Sequence, residues 1–450
     1  MNPEQITVLS SLGLAFTLAM SILLLTLPRR LALLPILLTA CYMTFGQQIV
    51  AGGLHFTILR VLVLVGCVRV LVRGEFHRLQ WLRLDTMMVA WVVAGVVTYT
   101  ILWGSSDAFV NRLGLAYDAL GLYFIFRLLL SDLNDVVRAC RLFAVALMPL
   151  AVAMVFEKLT GRNPFYIFGG VPEITAIRDG VLRCQGPFGH PILAGTFGAA
   201  WVPLFVGLWW QGTRQHLLAG LGVTSAVLIA LCAGSSGPVA TLAAGILGCG
   251  MWSLRNSMKT VRWVVVIILL ILQVVMKAPV WFVFARVNVF SGSTGWHRAN
   301  LIDQTITHFW DWWLLGTKET FSWGVWGGDI TNQFILQGIR GGLLTMILFV
   351  AIVVVSFFAI GRAVRAMRAT SRRAQLLVWA IGATILAHVV SFLSVSYFDQ
   401  NVVNWYLVLA MIATVVTVCG RMQCAIRTEN SIGKPSNQAL VEASCTNFVA

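Results

Sequence analysis

Acidic side chains are scarce in this sequence, with 17 Asp and Glu in 450 residues against 32 Lys and Arg. Charged residues of both signs make up only 11% of a chain that is 58% hydrophobic. So little polar surface cannot coat a water-soluble globule, which excludes a soluble protein and makes counting aqueous domains by length meaningless. Strand-like alternation of polar and apolar residues is missing as well. The apolar runs, about 17–23 residues long, are therefore read as helices that cross a bilayer. Nine cysteines include no CxxC pair and no His/Cys spacing suited to a metal. Because only Cys184 falls in an outward segment, no exported disulfide framework is expected either. No basic residue precedes the first apolar run, and no small-residue cleavage site follows it. A removable signal peptide is not expected. Nor does any fixed-period repeat appear.

What remains is a polytopic, all-α membrane protein of about 12–13 transmembrane helices with two large outward-facing loops. Thirteen candidate spans begin near residues 6, 31, 54, 84, 113, 136, 191, 217, 237, 263, 341, 376 and 404. The net charge of +15 is spread over short loops instead of one face, so it is read as a topology signal and no nucleic-acid partner is expected. Placing the N-terminus outside gathers Arg29, Arg30, Arg73, Arg78, Arg83, Arg138, Arg214, Arg255, Lys259 and Arg262 on the inner side. The same choice puts the run from Arg362 to Arg373 and the tail from Arg421 inside. The chain then divides into N-terminal helices (1–156), a first outward loop (157–190), central helices (191–283), a second outward loop with an amphipathic helix (284–340), C-terminal helices (341–420) and a cytoplasmic tail (421–450). Between the eighth and ninth spans, Gly234-Ser235-Ser236-Gly237-Pro238 forces a sharp turn or a re-entrant break.

Charge inside a bilayer needs a partner or a role. Arg60 and Asp118 are placed at similar depth near the outer surface and form a candidate ion pair, with Lys277 near the same level. Arg69 and Arg127 lie toward the inner ends of their spans, where snorkelling to the headgroups is expected. The first loop, from Glu157 to Pro191, mixes Lys158, Arg162, Arg178 and Arg183 with Glu157, Glu173 and Asp179 and ends in Gly-Pro-Phe-Gly-His-Pro. In the second loop, His297, Asn300, Gln304, His308 and Asp311 recur at helical steps opposite Leu301, Ile302, Ile306, Phe309 and Trp313. Neither loop carries enough net charge for diffuse attraction. Individual arginines, Arg183, Arg286 and Arg298, can instead clamp a phosphate or diphosphate bidentately, or simply bind headgroups and local acids. Outward residues able to act as a general base are His190, His297, His308, Asp179, Asp303 and Asp329, and no spacing selects among them. His190, between Gly189 and Pro191, also suits a helix cap.

Thr160-Gly161-Arg162-Asn163, Arg183, Gly186-Pro187-Phe188-Gly189-His190-Pro191 with Gly195, Ser235-Ser236-Gly237, Trp296 to Arg298, Gly316, Asn332, Gly338 and Gly341-Gly342 stand in an order that resembles the O-antigen ligase and polymerase superfamily. The likeness covers roughly residues 55–415. It implies a metal-independent, cofactor-free inverting glycosyltransferase at the periplasmic face of the bacterial inner membrane. Such an enzyme takes a glycan from undecaprenyl diphosphate and passes it to a glycan or lipid acceptor. Membrane lipids and other envelope polysaccharide assembly proteins are its expected surroundings. Family arginines engage the diphosphate, a role carried here to Arg183 and Arg298, with Arg286 and Arg60 as further candidates. His190, His297 and Asp329 are the candidate bases, and Trp296 and Asn332 are expected to contact the glycan or order the loop. Two positions depart from the family pattern: Thr331-Asn332 replaces a His-Asn pair, and Ser235-Ser236-Gly237 replaces Ser-Arg-Gly. The rival readings are a polysaccharide or lipid-linked-sugar flippase, which predicts mid-membrane polarity and repeated halves, and an inactive assembly scaffold.

Overall fold

A computed structural model of the chain describes residues 7–44, 46–51, 54–283, 295–324, 328–398 and 400–431. It is 77% helical. The helices run α1 Ser11–Thr26, α2 Leu33–Tyr42, α3 Ile58–Val72, α4 Arg83–Trp103, α5 Ser106–Leu129 and α6 Leu133–Thr160 in the first part of the chain. Then come α7 Pro191–Ala199, α8 Val202–Trp209, α9 His216–Cys232, α10 Ser236–Gly250 and α11 Met258–Val275. The last group is α12 Gly295–Thr307, α13 Phe309–Trp312, α14 Gln333–Ala366, α15 Arg372–Phe392 and α16 Asn401–Ser431. Two small sheets accompany them: β1 Thr7–Val8, β2 Gln47–Ala51 and β3 Leu54–Thr57 in one, and the hairpin β4 Ala176–Arg178 and β5 Val181–Arg183 in the other.

Nine helices among the described residues are long and apolar enough to cross a bilayer, α7 and α8 counting as one. All thirteen expected spans fall on helix. The four outside the nine are α1, α2 and α3, of 16, 10 and 15 residues, and α5, which is long but interrupted by Asp107, Arg112, Asp118 and Arg127. Helix α11 makes the case for lipid most directly, since none of its 18 residues is buried. Water would oppose such exposure by about 25 cal/mol for each Å² of apolar surface, whereas hydrocarbon does not. The protein is membrane-embedded.

Helix α7 runs through the middle, and 89% of the span it opens is buried. Asn401 and Asn404 of α16 donate to the α7 carbonyls of Leu193 and Phe197 at 2.9 and 3.1 Å. These amide bonds fix α7 in depth and rotation. Arg69 and Arg127 do not snorkel. Each is buried and paired, Arg69 with Glu75 at 3.1 Å and Arg127 with Asp85 at 3.1 Å. Arg69 also donates to Leu24 O and Leu27 O, carbonyls that the end of α1 leaves without helical partners. At the same end of the bundle, Gln211 donates to Arg373 O, and Arg368 to Asn256 Oδ1, joining the α8–α9, α10–α11 and α14–α15 turns.

Candidate functional site

The first loop is organised by a side chain that the sequence offers as one more loop charge. Glu157, in the last turn of α6, is fully buried and accepts from Thr175 Oγ1 at 3.1 Å, Gln185 N at 3.1 Å and Gly186 N at 2.9 Å. Three donors on one carboxylate, two of them backbone N–H groups, replace its lost water. Asn163 holds the same turn from the other side, donating to Gly186 O at 2.7 Å, and Gln400 of the α15–α16 connection donates to Pro187 O. The Gly-Pro-Phe-Gly-His-Pro segment is thus pinned, with Phe188 in the core.

Between these anchors the β4–β5 hairpin turns at Asp179-Gly180, both with positive φ (52° and 76°), the backbone that a two-residue hairpin of the I′ type requires. Lys158 holds it to α6 through a 2.5 Å bond to Leu182 O. Gly234, with φ +55°, approaches the same carbonyl, and a Cβ there would stand 2.9 Å from Leu182 O. Only glycine lets the α9–α10 turn come this close.

The second loop is seated by glycines. Cβ atoms at Gly316, Gly338 and Gly342 would meet Ile339 O at 2.3 Å, the Trp312 ring at 2.6 Å and Leu314 O at 2.3 Å. At Gly342 (φ 73°, ψ 179°) α14 breaks, and the interrupted ladder is repaired by Leu343 N donating to Trp313 O at 2.7 Å and Thr317 N to Ile339 O at 2.9 Å. Helix α12 is shorter than the sequence pattern suggests, ending before His308. Its buried face carries Arg298, Leu301 and Thr305, while Ile306 and Trp313 are exposed. The rotation turns Arg298 inward.

Arg298 meets the first loop there. Its guanidinium lies over the start of α10, 3.7 Å from the Cβ position of Gly237, where Ser394 Oγ also approaches to 3.1 Å. Ser235, the N-cap of α10, makes no side-chain cap bond. Arg178 is near enough to Arg183, His190 and Arg298 to act on all three electrostatically. The Nε atoms of Arg183 and Arg298 are buried without a hydrogen-bond partner, and among the described residues neither side chain pairs with a carboxylate. Burial first, then the Arg178 charge, lowers Arg298 to about 10, and the same causes lower Arg183. Desolvation followed by the charges of Arg183 and Arg178 lowers His190 to about 4. Burial is the largest cause of all three shifts, and the neighbouring guanidinium charges add to it.

His190 caps α7, its Nδ1 accepting from Ile192 N at 3.2 Å. The neutral ring then carries its proton on Nε2 and offers a donor. With the N-termini of α7 and α10 at this junction, helix dipoles add to the positive field.

Most of the remaining candidates have partners of their own. His297 Nε2 approaches the backbone oxygen of Asp329 at 3.3 Å, so the two meet but not through the carboxylate, and His297 Nδ1 is buried and unpartnered. Trp296 is exposed, whereas Asn332 is buried and caps α14 through Phe334 N and Ile335 N at 3.0 and 3.2 Å. Arg60 is committed to Asp118, with Nε at 3.0 Å, Nη2 at 2.8 Å and Nη1 donating to His55 O. Arg286 lies outside the described residues. His308 bonds Asp311 at 2.9 Å and stacks on Trp323. Arg178 does pair with a local acid, Asp179 at 3.7 Å, but sequence reasoning did not see that it also stands near Arg183 and Arg298, nor that Glu157 organises the loop. The two-residue Asp-Gly turn, which sets Arg178 opposite Val181 and Arg183 opposite Ala176, is the signal that would have put both arginines on one face of the hairpin.

The chain is thus a helical membrane protein with a cluster of cationic side chains where two loops meet. No protein-family model matches it, and no curated protein matches it in sequence.

Proposed function

We propose that the protein is an O-antigen ligase-like membrane glycosyltransferase that polymerises or ligates an undecaprenyl-diphosphate-linked glycan during cell-surface polysaccharide synthesis. One observation carries this reading: Arg183 and Arg298, each with a buried and unpartnered Nε, converge with Arg178 beside the starts of α7 and α10. That arrangement suits a compact, doubly charged anion on the end of a lipid. The basic end of the bundle is cytoplasmic by the positive-inside rule, so the pocket faces the periplasm of a bacterial inner membrane.

In the reaction, an acceptor hydroxyl oxygen attacks the anomeric carbon from the face opposite the diphosphate. The bond from that carbon to the diphosphate oxygen breaks, its electron pair stays with the oxygen, and the configuration inverts. Arg183 and Arg298 stabilise the departing charge, and side-chain cations supply what the leaving group needs. His190, with Nδ1 occupied by Ile192 N, contributes Nε2–H to the leaving group and is not the base. The acceptor proton goes to His297 or Asp329, which sit together on the second loop.

The test is purified protein in lipid nanodiscs with an undecaprenyl-diphosphate oligosaccharide and each acceptor in turn, measuring release of undecaprenyl diphosphate. Acceptor-dependent release should fall by about 100-fold or more in Arg183→Ala and in Arg298→Ala, the usual cost of a lost transition-state donor. The acceptor that works distinguishes polymerase from ligase. Unchanged release in the double variant, or movement of the lipid-linked sugar between leaflets with no release, overturns the proposal.

A further inference from the structure

A second pair of arginines without acids stands elsewhere, between α4, α5 and the part of α14 that precedes its break at Gly342. Arg112 of α5 and Arg340 of α14 line one open groove together with Trp91, Leu115, Gln337 and Thr345. The two guanidinium groups are near enough to repel each other, and among the described residues no carboxylate pairs with either. Arg112 packs its guanidinium 3.7 Å from the centre of the Tyr99 ring, and its Nε is buried without a hydrogen-bond partner. Arg340 is exposed to the groove. Trp91 Nε1 donates to Gln337 Oε1 at 3.1 Å, tying α4 to the first part of α14 and holding the groove's wall in place.

Position in the bilayer gives these charges their meaning. Arg112 follows the start of α5 by six residues, about 9 Å along the axis. Trp103, at the neighbouring end of α4, and Lys318, 5.6 Å from the Trp103 ring centre, mark the interfacial level above it. Below, α4 and α14 expose Val93, Val97, Leu344 and Ile347, an apolar track leading away from the arginines. Two like charges at this depth cost free energy unless an anion joins them. A water-borne anion would have to leave water to reach this level, whereas a lipid phosphate already resides near it and its chains can follow the apolar track.

We infer that the Arg112–Arg340 groove is a binding site for the phosphate group of a membrane lipid. The guanidinium pair holds the phosphate oxygens, Gln337 borders the headgroup, and the acyl or prenyl chain lies along α4 and α14. None of its residues belongs to the Arg183–Arg298 pocket, so it stands or falls separately from the glycosyltransfer reading.

Native mass spectrometry of delipidated protein, titrated separately with dioleoylphosphatidylglycerol, undecaprenyl phosphate and phosphate-free dioleoylglycerol, tests it. At least one of the two phosphate lipids should be retained by wild type while dioleoylglycerol is not. Arg340→Gln should weaken that retention about 10-fold or more, the loss of one charge-assisted bond. Arg340→Lys should keep most of it, and Arg183→Ala should leave one phosphate lipid bound. Retention of phosphatidylglycerol identifies bulk phospholipid as the occupant, and selective retention of undecaprenyl phosphate identifies a carrier lipid. Equal retention of dioleoylglycerol, or an Arg112→Gln/Arg340→Gln variant that folds and binds as wild type does, overturns the inference.

Discussion

Replacing Arg298 by Met should make the protein more stable and less able to hold a diphosphate. Arg298 is 9% exposed, has no carboxylate partner among the described residues, leaves Nε unsatisfied and feels the like charge of Arg178. A buried donor without a partner costs about 1–3 kcal/mol, and a residue of similar length that lacks the donor recovers it. Methionine keeps the packing of the aliphatic stem. The expected gain is therefore about 1–3 kcal/mol, seen as a higher unfolding midpoint in detergent. Inorganic pyrophosphate separates the two effects: at 100 times its dissociation constant it should stabilise wild type by about 2.7 kcal/mol through linkage. In Arg298→Met, loss of a charged hydrogen bond worth about 1.5–3 kcal/mol should weaken that binding by ~10–150-fold, so the same pyrophosphate concentration should stabilise by only about 0.3–1.4 kcal/mol. A variant less stable than wild type would show that Arg298 holds the loops together, and the case for a ligand pocket would fail. A variant stabilised by pyrophosphate as strongly as wild type would refute it equally.

Glu157→Gln puts an NH₂ group where a carboxylate oxygen accepts from backbone N–H groups, so the first loop should loosen at a cost of about 1–3 kcal/mol, read as faster trypsin cleavage after Arg178 or Arg183. Gly234→Ala combines a left-handed backbone with a Cβ 2.9 Å from Leu182 O, so the hairpin should be pushed off α10 and glycosyl transfer should drop while the helices stay folded, as measured by activity against circular dichroism. His190 is lowered from 6.5 to about 4, so the unfolded chain takes up its proton first. The stability that the neutral ring contributes is complete above about pH 6.5 and is lost as pH falls toward 4. A bound anion opposes that shift, so pyrophosphate binding near pH 5 should take up protons, detected as a buffer-dependent heat in calorimetry, and a heat independent of buffer would count against the assignment.

The helical, membrane-embedded class was legible because it rests on bulk quantities: apolar run length and the shortage of charge. Each of the thirteen expected spans lies on helix for that reason. Depth also served for Arg60 and Asp118, which do pair, since a charge buried at one level must find another at the same level. Arg69 and Arg127 were misread because their partners, Glu75 and Asp85, come from connections and helix starts whose position a span-by-span reading leaves open. The pocket was half legible. Arg183 and Arg298 could be singled out, but their meeting depends on the rotation of α12, which a pattern of apolar residues fixes only to within a face. Ile306 and Trp313 stand on the apolar side of that pattern and are exposed, as the reading of an interfacial amphipathic helix allows, since such a helix has lipid as well as protein to cover that side. Glycines are the reverse case. Gly234, Gly316, Gly338 and Gly342 look like loop punctuation, yet their spacing encodes contacts with backbone or rings that no sequence period reveals.

The shortage of acids with which the sequence begins has a consequence for where anions can bind. Carboxylates are spent on the scaffold: Asp85, Glu75, Asp118 and Asp135 each hold an arginine of the helices, and Glu157 holds backbone. Cations in excess of these must either face the headgroups or go unpaired. The positive-inside rule accounts for Arg362, Arg365, Arg368, Arg372 and Arg373, which cluster at the end where α14 meets α15. It does not account for Arg183, Arg298, Arg112 and Arg340, which lie toward the opposite end. Retaining four desolvated or mutually repelling guanidinium groups costs stability, and an apolar or uncharged residue at each place would relieve it. Selection for folding alone would not keep them there. An anion that arrives from outside the chain gives a reason to keep them, and because two of the four sit in loops and two in a lipid-facing groove, the anions they await differ in how they reach the protein, one at the aqueous face and one through the bilayer.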